Sequence, residues 1–145
     1  TSAKKVSTTE AMAMAATSPY YQSAVLEAEK NIVRLREAMS RGDWGAFGKV
    51  IEDECFRLHA ICMTQSPNIL YWRGVTIEVF QAMYRLRERG VMGYFTVDAG
   101  PHVHIVCQSK DVEAIKNSLK EVGGIKTIIE CSIGEGAKLV EDHLF

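Results

Sequence analysis

At 145 residues, with 47% apolar and 24% charged side chains, the chain has the size of one soluble globular domain burying roughly two-thirds of its unfolded surface. A net charge of −1 gives no long-range attraction to nucleic acid or to an anionic membrane, and no apolar run approaches the ~20 residues of a membrane span. The four cysteines (Cys55, Cys62, Cys107, Cys131) form no Cys-x-x-Cys pair and signal no zinc site, so a reduced, cytoplasmic protein is expected.

Thr1 to Ser7 reads as a polar approach segment with no apolar leader behind Lys4-Lys5, and the absent Met suggests a piece of a longer chain. Ser7-Thr8-Thr9-Glu10 is a capping-box pattern, which predicts a short helix through Ala11 to Ala16 that ends near Pro19. Tyr21, Val25, Ala28, Ile32, Leu35 and Met39 then alternate by four and three and predict the apolar stripe of a second helix, closed by Gly42. Asp43 caps a third, with Phe47, Val50, Ile51, Cys55, Leu58, Ile61 and Cys62 on its apolar face, up to the break at Ser66-Pro67-Asn68. Val75 to Arg89 has helical spacing again and stops at Gly90.

Two runs of strand-forming residues follow, Tyr94 to Val97 and Val103 to Cys107, around an Asp98-Ala99-Gly100-Pro101 elbow. Ser109 is the predicted cap of a helix with Val112, Ile115, Leu119 and Val122 on one side, ended by Gly123-Gly124. Ile125 to Ile133 is predicted as a further strand, with Ala137 to Val140 open to a short last one. Tightly turned strands followed by a helical crossover define an α+β class: helices packed on one face of a mainly antiparallel sheet, with a split β-α-β core, over a single domain 1–145.

Asp98 is the leading candidate for chemistry, because the end of a strand before a stiff turn holds a carboxylate at a rim. The alternative is a turn carboxylate bonded to local amides. Ser7, Thr8 and Thr9 offer hydroxyls and amides at a helix start, suited to phosphate or simply to capping. His59, beside Leu58 and Ala60, reads as a packed histidine more readily than a catalyst. His102 and His104 share a strand face, which permits a metal with a third ligand, although two strand histidines with no further ligand nearby are more often surface or interface groups. Ser66-Pro67-Asn68 with Tyr71-Trp72 is either a binding loop or a connection whose aromatics complete the core. No Gly-rich phosphate loop exists, so the chain supplies no main nucleotide cradle.

Three stretches together resemble one family. They are Lys4-Lys5-Val6-Ser7-Thr8-Thr9-Glu10-Ala11-Met12, then His59-Ala60-Ile61-Cys62-Met63 leading to Ser66-Pro67-Asn68-Ile69-Leu70-Tyr71, then Tyr94-Phe95-Thr96-Val97-Asp98-Ala99-Gly100-Pro101. In that order they resemble the C-terminal half of mevalonate diphosphate decarboxylases, of the GHMP kinase superfamily. The resemblance implies a partner N-terminal GHMP domain that binds ATP and Mg²⁺, and a cytoplasmic homodimer. The implied reaction phosphorylates the tertiary hydroxyl of a phosphorylated mevalonate, then loses phosphate and carbon dioxide. It also implies roles: Asp98 as the base at that hydroxyl, Lys5, Ser7, Thr8 and Thr9 toward substrate phosphates, and His59, Tyr71 and Gly100 as supporting pocket, with no metal ligand in this half.

The pattern departs from the family in three places. Thr9 stands where an arginine often faces the diphosphate, His102 where an asparagine often follows Gly-Pro, and Pro67 is single where two prolines are common. Loss of a bidentate guanidinium leaves the substrate's phosphate count open among mono-, di- and bisphosphate. Two other readings stand beside the decarboxylase. One is a GHMP small-molecule kinase that does not decarboxylate, although relatives of that kind lack the aspartate. The other is a non-catalytic ligand-binding or dimerisation module.

Overall fold

The computed structural model describes residues 6–139. In chain order these form α1 (Thr8–Met14), a 3₁₀ turn (Ala15–Thr17), α2 (Tyr21–Arg41), α3 (Trp44–Thr64), α4 (Gly74–Glu88), β1 (Gly93–Val97), β2 (Val103–Cys107), a second 3₁₀ turn (Ser109–Asp111) and α5 (Val112–Lys120). The local signals act as expected. Ser7 and Glu10 close the capping box, with the Glu10 amide donating to Ser7 Oγ at 3.2 Å and the Ser7 amide donating to Glu10 Oε2 at 2.7 Å. The Asp43 carboxylate accepts from the Ala46 amide at 2.9 Å to start α3. Gly42 ends α2 at φ 64°, a left-handed backbone that a Cβ would disfavour.

Helices pack against a small antiparallel sheet, in which Gly93 faces Cys107, Phe95 faces Ile105 and Val97 faces Val103. Phe95 and Val97 point into the main core, formed with Cys55 of α3, Val79, Phe80, Met83 and Leu86 of α4, and Ile115 and Leu119 of α5. Phe80 stacks on Phe95 with ring centroids 3.8 Å apart. The neighbouring residue, Tyr94, turns toward α3 and lies against Gly48, where a Cβ would come within 2.1 Å of its ring. Only a residue without a side chain lets the helix approach the strand this closely. A smaller cluster of Ala11, Cys62 and Ile69, flanked by Val6, Met14 and Tyr71, fastens α1 onto the C-terminal end of α3.

Three sequence expectations are corrected. The residues predicted as a third strand, Ile125 to Ile133, carry no regular structure, and Ile129 and Ile133 are exposed; no strand forms over 137–139 either, and Val140 lies outside the described residues. Strand propensity needs a pairing partner. Instead of pairing, this segment runs beside α5, where Lys116 meets Glu130 at 3.0 Å. The second helix forms as predicted but turns a different face inward: Ala24, Asn31 and Ala38 are buried, whereas Val25, Ile32 and Met39 are exposed. Small residues let α2 sit close on α3, and Asn31 is satisfied there by Glu54, its Nδ2 donating at 2.5 Å. Ser109 opens a 3₁₀ turn rather than capping α5, with Gln108 ahead of it.

Candidate active site

Asp98 follows β1 directly. Val97 is 1% exposed and Asp98 is exposed, so the chain passes from core to rim within one residue. The Gly100 amide donates to the Asp98 carbonyl at 2.7 Å and closes the elbow. No hydrogen bond to the Asp98 carboxylate occurs among the described residues, so the alternative of a carboxylate consumed by local turn amides does not apply. A negatively charged acceptor is presented outward on a stiff support.

The support comes from the edge of β1 that β2 leaves unpaired. Backbone groups of a strand alternate between its two edges, and Gly93, Phe95 and Val97 turn theirs toward the helices. Arg87 of α4 donates from Nη1 to the Gly93 carbonyl at 2.6 Å. Glu52 of α3 accepts from the Phe95 amide at 3.2 Å, and its two oxygens hold the Arg87 guanidinium at 2.8 and 3.1 Å. Two turns further along α3, His59 reaches the Val97 carbonyl at 2.9 Å, with Cys55 Sγ at 3.9 Å from the same oxygen. A carbonyl only accepts, so His59 carries its proton on Nε2. Glu52, Cys55 and His59 are spaced three and four apart and lie on one helix face.

Burial sets the ionisation of these groups. It is the largest effect on Glu52, whose pKa it raises, while Arg87 and the Phe95 amide pull in the other direction. It lowers the pKa of His59, against the opposing pull of the Val97 carbonyl and of the nearby Asp98 charge, and so favours the neutral ring. It also raises the thiol of Cys55, which makes that cysteine an inert core residue.

His59 is the hub of this end of the molecule. It is 1% exposed, with Trp72 at 4.7 Å and Tyr71 at 6.2 Å between ring centroids. Tyr71 in turn packs with α1 in the smaller cluster, and burial raises the pKa of its phenol, with Cys62 and then Glu10 adding to the rise. The loop between α3 and α4 doubles back to make this possible. A cis Ser66–Pro67 bond, an Ile69 amide donating to the Cys62 carbonyl at 2.8 Å and a Ser66 amide donating to Thr17 Oγ1 at 2.8 Å define its path. Tyr71 and Trp72 pack against the smaller and the larger cluster, so the aromatics of Ser66 to Trp72 do complete the core.

The remaining expected residues divide. Ser7, Thr8 and Thr9 are exposed at the start of α1, and Ser7 Oγ donates to Glu10 Oε2 at 2.8 Å. Lys5 lies outside the described residues. Gly100 is half-buried in the elbow, and the exposed His102 and His104 join no metal site. No group of three His, Cys, Asp or Glu able to hold a metal ion exists among the described residues. The Glu52–Arg87 pair is the part that sequence reading missed. Its signal was a polar residue standing on the inward stripe of α3, in register with Cys55, His59 and Cys62.

Residues 1–140 match the family model described as the mevalonate 5-diphosphate decarboxylase C-terminal domain. The phosphomevalonate decarboxylase of Haloferax volcanii is 32% identical over 117 residues, 80% of this chain and 36% of that protein. The crystal structure of mevalonate diphosphate decarboxylase from Staphylococcus aureus superposes with a TM-score of 0.79 at 29% identity, covering 83% of this chain and 37% of that one. A complex of the protein abbreviated MDDEF with MVAPP, AMPPCP and magnesium gives the same TM-score at 29% identity, over 84% of this chain and 38% of its own. The chain therefore belongs to the mevalonate 5-diphosphate decarboxylase C-terminal domain family, and it spans little more than a third of the length of these relatives.

Proposed function

We propose that the chain is the C-terminal half of an enzyme that uses ATP to decarboxylate a phosphorylated mevalonate. The family match over residues 1–140 carries this reading. In it, the Asp98 carboxylate accepts the proton of the substrate's tertiary hydroxyl as that oxygen attacks the γ-phosphorus of ATP, whose bond to the β–γ bridging oxygen breaks so that ADP leaves. Loss of the new phosphate together with carbon dioxide then leaves the isopentenyl product. A tertiary alcohol is a poor nucleophile, and a fixed carboxylate within hydrogen-bond reach supplies a factor of about 10²–10⁴. The exposed, unbonded carboxylate at the end of β1 suits that task.

Ser7, Thr8 and Thr9, with Lys5, face the substrate phosphates in this reading, and His59, Tyr71 and Gly100 shape the pocket behind Asp98. ATP and Mg²⁺ are assigned mainly to the remainder of the intact protein; the sequence here carries no Gly-rich phosphate loop, and the relative bound to AMPPCP and magnesium is much longer than this chain. A cytoplasmic homodimer is the setting we assign to it, and light scattering of the intact protein reads the oligomeric state.

The test is product analysis with the intact protein, ATP and carboxyl-labelled mevalonate 5-phosphate or 5-diphosphate. Release of labelled carbon dioxide from one of them supports the reading and fixes the phosphate count. Phosphorylation without release of label would instead make the protein a kinase.

A further inference from the structure

We propose that His59, Glu52 and Arg87 are positioning residues for Asp98: by locking the free edge of β1 they fix where the carboxylate sits, without touching substrate themselves. The proposal rests on the decarboxylase reading, in which Asp98 acts at the hydroxyl.

Edge strands are ordinarily protected by whatever covers them. Here the cover consists of directed hydrogen bonds, and they progress along the strand toward the elbow. Arg87 holds the Gly93 carbonyl, Glu52 the Phe95 amide and His59 the Val97 carbonyl. The bidentate fork between Arg87 and Glu52 fixes both of these side chains relative to each other. The last bond matters most. The Val97 carbonyl and the Asp98 amide belong to one planar peptide unit, so His59 sets the tilt of the plane from which Asp98 projects. On the far side, the bond from the Gly100 amide to the Asp98 carbonyl holds the next plane.

A freed peptide plane that tilts by about 20° carries the carboxylate through about 1 Å, and a misplacement of that size costs on the order of 10²-fold in rate. The residues doing this are polar groups buried in the core, where they satisfy backbone groups of β1 that an apolar side chain would leave without a partner. His59 is 1% exposed and Glu52 is 8% exposed. Their chemistry is needed for direction rather than for filling space.

The experiment compares His59→Gln with His59→Asn in the intact enzyme, using whichever phosphorylated mevalonate the wild type turns over. The glutamine amide nitrogen falls where Nε2 lies, whereas that of asparagine falls short, near Nδ1. We expect His59→Asn to lose kcat about 10²-fold with KM within about twofold, and His59→Gln to keep kcat within about fivefold. Arg87→Lys, which keeps the charge opposite Glu52 but not the fork, should lower kcat about tenfold at unchanged KM. Equal loss in the two His59 variants, loss confined to KM, or wild-type kcat in His59→Asn overturns the proposal. If His59→Asn does not fold, wild-type kcat in Arg87→Lys overturns it. A wild type that releases no carbon dioxide overturns the decarboxylase reading itself, whereas normal wild-type turnover with unaffected variants overturns only the positioning role.

Discussion

Burial lowers the pKa of His59 beneath its ordinary 6.5, and this has a consequence for stability as well as for geometry. As pH falls through 6.5 the unfolded chain takes up a proton that the folded chain resists. The His59 contribution to stability is therefore complete above that value and declines as the medium is acidified toward the lowered folded pKa. Melting curves between pH 7.5 and 5 should show a steeper loss for the wild type than for His59→Gln; parallel curves would contradict the buried neutral ring. The position of Asp98 at the exposed end of a strand was legible because its signals are local, an aromatic and β-branched run, an acid and Gly-Pro within eight residues. The partner of His59 was not legible. Its bond joins residues 38 apart in sequence, and no local pattern records it.

The elements repeat that contrast. Apart from Ser109, the predicted helix caps followed the sequence because caps act over a single turn: Ser7 with Glu10, Asp43 with Ala46, and Gly42 at φ 64°. The face that each helix buries depends on its neighbour. On α2 the largest apolar residues define one stripe, while packing against α3 selects Ala24, Asn31 and Ala38. Gly48 is a further choice of this kind, made by the Tyr94 ring. Gly48→Ala should destabilise the protein by about 2–3 kcal/mol in urea denaturation, since neither the helix backbone nor a ring 5% exposed can yield. A change below about 0.5 kcal/mol would mean that α3 and β1 are further apart than described.

Between α3 and α4, Arg87→Met strands the Glu52 carboxylate in the core and should cost about 3 kcal/mol. Adding Glu52→Leu should recover part of that loss, because the buried charge goes with it. Additive losses in the double variant would show that the two side chains act independently. The missing third strand belongs to this scale too. Ile125 to Ile133 has strand composition, yet the free edge of β1 is already taken by Glu52, Arg87 and His59.

At the scale of the whole molecule, the described residues form a platform. The larger core holds β1 on α4 and α5, the smaller one holds α1 on α3, and His59 lies where the two meet. The start of α1 and the Asp98 elbow therefore belong to one connected end of the fold, which the three sequence stretches behind the family resemblance share. Residues 1–140 match the decarboxylase C-terminal domain at little more than a third of the relatives' length, and what we propose for this part is the contribution of a placed carboxylate. The direct test of that claim is the rate of carbon dioxide release by the intact enzyme carrying Asp98→Asn. The account expects a fall of about 10²–10⁴-fold with KM and melting temperature unchanged, and turnover within about tenfold of the wild type would contradict it.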